Sequence, residues 1–112
     1  ESAVSDAEKN CRLNGVSNCR FIRGDIRSCL PQVTRRPDLL IIDPPRAGMH
    51  KDVVKQVLDL GADRIVYVSC NPATMARDAQ MMQGRYRLEE VQPVDMFPHT
   101  HHVEAVARLN RI

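Results

Sequence analysis

Long apolar stretches are absent from this 112-residue chain, whose longest apolar runs, at residues 39–42 and 65–68, are far too short to cross a bilayer. The opening residues, ESAVSDAEKN, lack the basic and then apolar layout of a signal peptide. A formal net charge of +2 gives no strong field that would by itself indicate a nucleic-acid partner. We therefore expect a cytoplasmic protein with no membrane partner.

Closely paired cysteines are also absent, since none of the four cysteines forms a CxxC spacing. With no sign of secretion, we expect all four thiols to be reduced. Three histidines lie between residues 99 and 102, but the cysteines are too evenly spread to complete a zinc site with them, so no metal is expected. Cys11, Cys19 and Cys29 are interpreted as small core thiols.

A single α/β domain is predicted, because 112 residues with 43% hydrophobic content suit one packed core. Four aliphatic residues in a row at 39–42 predict a strand buried on both faces, as in a parallel sheet. Such doubly wound sheets bind ligands beyond the carboxyl ends of their strands. The hydrophobic pattern and its stop signals predict helices at 2–14, 51–60 and 72–82, a helical turn capped by Asp25 at 25–30, and strands at 19–22, 39–42, 64–69, 86–94 and 103–109.

The segment Asp43-Pro44-Pro45-Arg46 follows the apolar run at 39–42. Proline restricts the residue before it, so the backbone of Asp43 is kept out of the helical region and the direction of its carboxylate is fixed. A rigid turn out of the strand is the plainer interpretation. Because a buried strand comes first, we favour a functional carboxylate at the mouth of a cleft.

Cys70 has the equivalent place after the strand at 64–69, just before a helix that starts at Asn71-Pro72. The positive end of the helix dipole favours the thiolate, which is the reactive form of cysteine. A small buried thiol is the common alternative. The position at a strand end and the polar neighbours argue against that alternative for Cys70.

Glu104 follows a loop that contains three imidazoles, at His99, His101 and His102. Alternation with Val103 and Val106 predicts that it begins a strand with buried neighbours, and a carboxylate in that setting can act as a base. For each histidine, a polar hairpin loop is as good an interpretation as a catalytic role.

Three separated segments, IIDPPRAG, YVSCNPATMARD and QPVDMFPHTHHVE, together resemble the RNA uracil-5-methyltransferase family, which modifies transfer and ribosomal RNA. Three motifs in the right order are far more specific than any one of them, and the likeness covers nearly the whole chain. The resemblance implies a partial Rossmann-like fold of S-adenosylmethionine-dependent methyltransferases. Its sheet would be mostly parallel, with an antiparallel pair of strands at the C-terminal side.

The resemblance also implies the site. Cys70 would be the nucleophile and Glu104 the general base in the transfer of a methyl group from S-adenosylmethionine to C5 of a uridine in ribosomal or transfer RNA. Asp43 would lie where the cofactor and the base meet, Glu1 matches the acidic residue that holds the cofactor ribose, and Asp25 matches a position near the adenine. The candidates for contact with RNA are Arg46, Arg77, His99 and His101.

The glycine-rich cofactor loop of that family is absent, since the five glycines form no GxGxx cluster. The resemblance therefore implies that residues 1–112 are the C-terminal part of the catalytic domain, without its first two strands, this loop or a separate RNA-binding domain. The strand at 39–42 would then have an open hydrophobic edge, which invites pairing with a second chain as a dimer, or with the strand at 19–22. From these residues alone we expect weak or no cofactor binding and no turnover.

Two other functions stay open. An amino-methyltransferase that acts on adenine or glutamine also uses a D/N-P-P turn, but needs neither Cys70 nor Glu104. A catalytically silent RNA-binding domain needs no nucleophile either. Trapping with RNA that carries 5-fluorouridine separates them, because only the uracil enzyme forms a covalent adduct that is lost in Cys70→Ala.

Overall fold

The computed structural model describes residues 2–95 and 103–112, and it divides into two compact units whose boundary in sequence lies between Gln32 and Val33. No helix among these residues is long and apolar enough to cross a membrane. The first unit contains α1 (Ser2–Leu13), α2 (Ile26–Cys29) and a 3₁₀ turn (Leu30–Gln32). The second contains β1 (Leu39–Ile42), α3 (Lys51–Leu60), β2 (Arg64–Ser69), α4 (Pro72–Met82), β3 (Tyr86–Val94) and β4 (Glu104–Arg111).

The helices of the first unit end one residue before their predicted bounds, at Leu13 and Cys29. Helix α1 ends at Leu13, and Gly15 follows with a φ of 67°, a left-handed conformation that favours glycine. Asp25 caps α2, because its side chain accepts a hydrogen bond of 2.8 Å from the backbone N–H of Arg27. The predicted helical turn after Asp25 is thus confirmed.

The predicted strand at 19–22 is wrong. No strand forms there, and apart from the half-buried Ile22 these residues are exposed. A strand needs a partner for its backbone N–H and C=O groups, and none of the described strands pairs with this segment. The segment therefore does not close the open edge of β1, which pairs with β2 alone among the described residues. Pairing of that edge with a second chain stays a prediction.

The second unit is built on a mixed sheet of four strands in the order β1-β2-β4-β3. The β1–β2 pairing is parallel, whereas β2–β4 and β4–β3 are antiparallel. The expected antiparallel pair of final strands is confirmed, but "mostly parallel" is wrong for the described strands, since only one of their pairings is parallel. The cause is that β4 inserts between β2 and β3 and runs against both.

One face of this sheet forms the core with α3 and α4. Helix α3 presents three buried valines, at 53, 54 and 57, and α4 contacts α3, β2 and β3. Alternate residues of β2 and β4 are buried on this side, because side chains along a strand point to opposite faces. The core residues of the two strands are Ile65, Tyr67, Ser69, Ala105, Ala107 and Leu109.

The other face of the sheet is less covered. Leu39 is 48% exposed and Ile41 is 65% exposed, so the prediction that β1 is buried on both faces is wrong within the described residues. In the register of the sheet, Ile41 lies beside Val66, which is half-buried. Helix α4 lies on the opposite side, where its Asp78 accepts a hydrogen bond from Tyr67 of β2, and this leaves an apolar surface along β1.

Candidate active site

Three of the residues singled out in the sequence lie at the edge of the sheet that is formed by the carboxyl ends of β1 and β2. This edge is distinct from the open side of β1. Asp43 is the first residue after β1, and Cys70 is the first residue after β2. Since β1 and β2 are parallel, both follow carboxyl ends at the same edge. Strand β4 runs the other way, so its first residue, Glu104, also belongs to that edge.

The register of β2 and β4 places Cys70 and Glu104 just beyond the same end of the two paired strands. The last aligned pair of β2 and β4 is Ser69 with Ala105, and the next residue outward on each chain is Cys70 or Glu104. Opposed residues of antiparallel strands have Cα atoms about 4.5–5.5 Å apart. Both side chains continue the half-buried side of their strands, whereas Ser69 and Ala105 are buried. A thiol and a carboxylate therefore face one small region.

The turn that carries Cys70 is fixed by its two neighbours. The Ser69 hydroxyl accepts a hydrogen bond of 2.9 Å from the backbone N–H of Asn71 and donates one of 2.8 Å to the Asn71 carbonyl oxygen. Ser69 is only 3% exposed, so these bonds are shielded from water. The backbone on both sides of the thiol is held, which limits where the sulfur can move.

Helix α4 begins directly after this turn. Asn71 is its N-cap, with a side-chain oxygen 3.1 Å from the backbone N–H of Ala73, and Pro72 takes the first helical position. The first N–H groups of a helix have no partner inside it, and they give that end a partial positive charge. Cys70 is therefore the residue directly before the N-cap of α4.

The loop after Asp43 is bound to the same helix. A turn closes with a bond of 2.8 Å from the N–H of Gly48 to the carbonyl oxygen of Pro45. The carbonyl oxygen of Arg46 accepts from the Asn71 amide at 3.3 Å and lies 3.0 Å from the Thr74 hydroxyl. Side chains near the start of α4 thus bond to the backbone that follows the two prolines.

Arg77 and Asp78 extend this attachment. Arg77 donates to the carbonyl oxygens of Ala47 at 2.7 Å and Met49 at 3.4 Å, and it pairs with Asp78 at 3.2 Å. Asp78 is fully buried and accepts from the Met49 N–H at 2.8 Å and from the Tyr67 hydroxyl at 2.5 Å. Burial, together with the hydrogen bond to Asp78, raises the pKa of Tyr67 far above its ordinary value of 10.

Sequence reasoning missed Asp78, although a signal was present. In α4 the buried residues are Met75, Asp78 and Met82, spaced at i, i+3 and i+7. An acidic residue on the apolar face of a helix requires buried partners, since an unpaired charge there is costly. That spacing would have placed Asp78 in a polar network inside the core.

The remaining predicted site residues are distributed as follows. Asp43 and Arg46 are exposed in the second unit. Arg77, predicted to contact RNA, uses its guanidinium on the loop and on Asp78. Asp25 belongs to the first unit, where it caps α2. Outside the described residues lie Glu1, His99, His101 and His102.

The other cysteines agree only in part with their predicted burial. Cys29 is a buried thiol, as predicted, whereas Cys11 is half-buried and Cys19 is exposed. Partial burial and the neighbouring Cys19 thiol raise the pKa of Cys11. Val103 is 45% exposed and Val106 is half-buried, so neither of the two valines expected to be buried beside Glu104 is fully buried. Within residues 2–95 and 103–112, no group of three or more His, Cys, Asp or Glu side chains forms a potential metal site.

Comparison with known proteins shows that this chain is similar in sequence to RNA methyltransferases. An uncharacterized RNA methyltransferase of Bacteroides thetaiotaomicron is 54% identical over 111 residues, which span 96% of this chain and 24% of that protein. One from Porphyromonas gingivalis is 51% identical over 115 residues, covering 97% of this chain and 25% of the relative. The chain thus spans about a quarter of the length of the curated relatives that it matches.

The family is more specific than that class. The family described as tRNA (uracil-5-)-methyltransferase matches residues 35–112, and the chain belongs to this family. Its fold is similar to the crystal structure of the Pyrococcus abyssi tRNA (uracil-54, C5)-methyltransferase in complex with S-adenosyl-L-homocysteine, with a TM-score of 0.82 and 43% identity. That alignment covers 96% of this chain and 26% of the archaeal chain.

Proposed function

We propose that the complete protein containing this chain methylates C5 of a uridine in RNA with S-adenosylmethionine, on a Rossmann-like domain of which these residues form the C-terminal part. The observation that supports this best is the register of β2 and β4, whose last pair, Ser69 with Ala105, comes directly before Cys70 on one strand and directly after Glu104 on the other. Membership of the tRNA (uracil-5-)-methyltransferase family supports the substrate class, transfer or ribosomal RNA. Residues 1–112 alone are proposed to lack turnover.

Cys70 is the proposed nucleophile. C5 of uracil is too weakly nucleophilic to take a methyl group unaided. The thiolate forms a bond to C6, and the electrons of the C5–C6 double bond then give C5 the character of an enolate carbon. The turn fixed by Ser69 supports this role, since it holds the backbone on both sides of the sulfur.

Glu104 is the proposed general base. Once C5 carries the new methyl group, its hydrogen must leave as a proton. The carboxylate of Glu104 takes that proton, the C–H electrons restore the C5–C6 double bond, and the bond from C6 to the sulfur of Cys70 breaks to release the thiolate. Adjacent positions on neighbouring strands suit this division of labour, because both groups must reach the same two ring carbons.

The residues present fit the cofactor in part. Bound S-adenosylmethionine would supply an electrophilic methyl group on its sulfonium. Asp43 offers an exposed carboxylate at the strand end, where such sheets bind ligands, and a carboxylate suits the cationic and hydroxyl groups of this cofactor. Glu1 and Asp25 are proposed cofactor contacts on family resemblance alone.

Contacts with RNA form the third part of the proposed site. The uridine must leave its stack so that the thiol and the carboxylate can reach the ring. Arg46, on the exposed loop after Asp43, and His99 and His101 are proposed to hold phosphate or base. Arg77 is a weaker candidate, because its guanidinium already bonds to two carbonyl oxygens of the loop and to Asp78.

Trapping with 5-fluorouridine RNA tests the proposal on the complete protein. With fluorine in place of hydrogen at C5, there is no proton for the base to remove. The covalent adduct therefore persists and is seen as a shifted band on a denaturing gel. We expect the adduct in the wild type and in the control Cys19→Ser, and none in Cys70→Ala. With ordinary RNA, Glu104→Gln should accumulate adduct, whereas the exposed control Glu89→Gln should turn over normally.

The alternatives give different results in the same experiment. An amino-methyltransferase would transfer a methyl group to a nitrogen atom without any adduct, and Cys70→Ala would leave that activity intact. A catalytically silent domain would bind RNA and transfer nothing. Either result would refute the proposed mechanism.

A further inference from the structure

We propose that Asp78 is a positioning residue that holds the loop after Asp43 in a fixed place relative to the turn at Cys70. Its consequence for the reaction rests on the proposed function above. Asp78 makes no contact with either residue itself. It acts through hydrogen bonds to the two segments that carry them.

The carboxylate of Asp78 joins three elements. One oxygen accepts from the N–H of Met49, at the end of the loop after Asp43, and from the hydroxyl of Tyr67, on β2. The other oxygen accepts from the guanidinium of Arg77 on α4. A fully buried carboxylate is stable only when paired and hydrogen-bonded in this way, so its geometry tolerates little change.

The connection is short on both sides. Tyr67 lies three residues before Cys70 on the same strand, and Met49 lies six residues after Asp43. Between Asp43 and Met49 the backbone is stiffened by two prolines and a closed turn. A displacement of Asp78 is therefore transmitted through these two short segments of backbone, to Cys70 through one and to Asp43 through the other.

A second set of bonds from α4 acts in the same direction. The side chains of Asn71 and Thr74 bond to the carbonyl oxygen of Arg46. Thr74 lies one helical turn before Arg77 and Asp78. Side chains at i, i+3 and i+7 of this helix thus face one stretch of loop backbone. The close packing at Gly48, where an added Cβ would lie 2.8 Å from the Asp78 carboxylate, shows how near the loop comes.

Precise placement matters for a reaction that needs two groups on one ring. A displacement of about 1 Å in a group that acts on a bound substrate lowers a rate roughly a hundredfold. If Asp78 only stabilised the fold, its loss would lower the melting temperature without slowing a fully folded enzyme. A positioning residue instead affects the rate at saturating substrate.

Variants of the complete protein separate these roles. Asp78→Asn keeps the shape of the side chain but removes the charge that pairs with Arg77. Thr74→Val removes one hydroxyl, and Thr74→Ser restores it. The control Asp59→Asn removes an exposed carboxylate of α3. Each is assayed well below its melting temperature for single-turnover methyl transfer, for KM and for amide hydrogen exchange at Met49.

We expect Asp78→Asn to slow single-turnover transfer roughly ten- to hundredfold, with KM for cofactor and RNA changed less than about threefold. Thr74→Val should show a smaller loss that Thr74→Ser recovers. Exchange at the Met49 amide should be at least about tenfold faster in Asp78→Asn, since a tenfold change corresponds to loss of one bond to a charged group. Asp59→Asn should match the wild type in all three measurements.

The outcomes also distinguish this inference from the proposed function. If the wild type transfers no methyl group, the proposed function fails, and exchange at Met49 still decides whether Asp78 holds the loop. Unchanged exchange at Met49 in Asp78→Asn overturns the inference. So does a wild-type rate at saturating substrate in a folded Asp78→Asn protein.

Discussion

Replacing Gly48 by alanine is expected to lower the free energy of unfolding by about 3 kcal/mol. Two separate effects contribute, namely the positive φ at this position and the steric clash of the added methyl group. Gly48 has a φ of +80°, a conformation that costs a residue with a side chain about 1–2 kcal/mol. Alanine also restricts the unfolded chain, which returns about 0.4–1 kcal/mol.

The second effect is collision. The new Cβ would lie 2.6 Å from a guanidinium nitrogen of Arg77 and 2.8 Å from a carboxylate oxygen of Asp78. The end of Arg77 can swing away, since its side chain is half-exposed. Asp78 cannot, because its short side chain is buried and fixed by Tyr67 and Met49. Lengthening a buried bond to a charged group costs about 1.5–3 kcal/mol.

Two other glycines isolate these effects in a denaturant unfolding experiment. Gly61 has a φ of +68° but meets no atom closer than 3.8 Å, so Gly61→Ala should lose about 1 kcal/mol. Gly84 has nothing within 4 Å and no positive φ, so Gly84→Ala should stay within about 0.5 kcal/mol of the wild type. If Gly48→Ala and Gly61→Ala have the same midpoint at equal slope, the collision argument is refuted.

Two further predictions concern the same core. Met82→Ala, at 0% exposure, should destabilise the protein by about 2–5 kcal/mol, whereas the adjacent Met81→Ala, at 41% exposure, should cost well under half of that in the same melt. Burial and the bond to Asp78 raise the pKa of Tyr67, so this phenol stays protonated in the folded state after it ionises in the unfolded chain near its ordinary value of 10. The contribution of Tyr67 to stability should be constant below about pH 9 and fall as the pH rises above about 10, a loss that Tyr67→Phe should reduce in urea titrations.

The helices and strands of the second unit are predictable where a periodic pattern meets a clear stop. Helix α3 has its valines on one face and ends at Gly61, whose φ of 68° caps the helix. The bounds of α4 follow from Asn71-Pro72 at its start, and its predicted range is confirmed. These signals are local, so the sequence carries them whole.

Pairing and burial depend on distant partners and were predicted less well. Residues 19–22 have the apolar content of a strand but pair with none of the described strands, and β1 has the composition of a doubly buried strand with one face open. The order of the sheet, with β4 between β2 and β3, follows from no local pattern. Motif and position identified Cys70 and Glu104 as candidates, but only the register shows that each adjoins the last aligned pair of β2 and β4, Ser69 with Ala105.

The insertion of β4 between two earlier strands has a consequence for how the protein matures. Until β4 docks, β2 and β3 have no hydrogen-bonded contact with each other, and Cys70 has no carboxylate from β4 opposite it. A partly folded chain would thus expose a thiol at a strand end without its acidic partner. Assembly of the proposed catalytic pair is then the same event as closure of the sheet, so under the proposed mechanism reactivity and native structure arise together during folding.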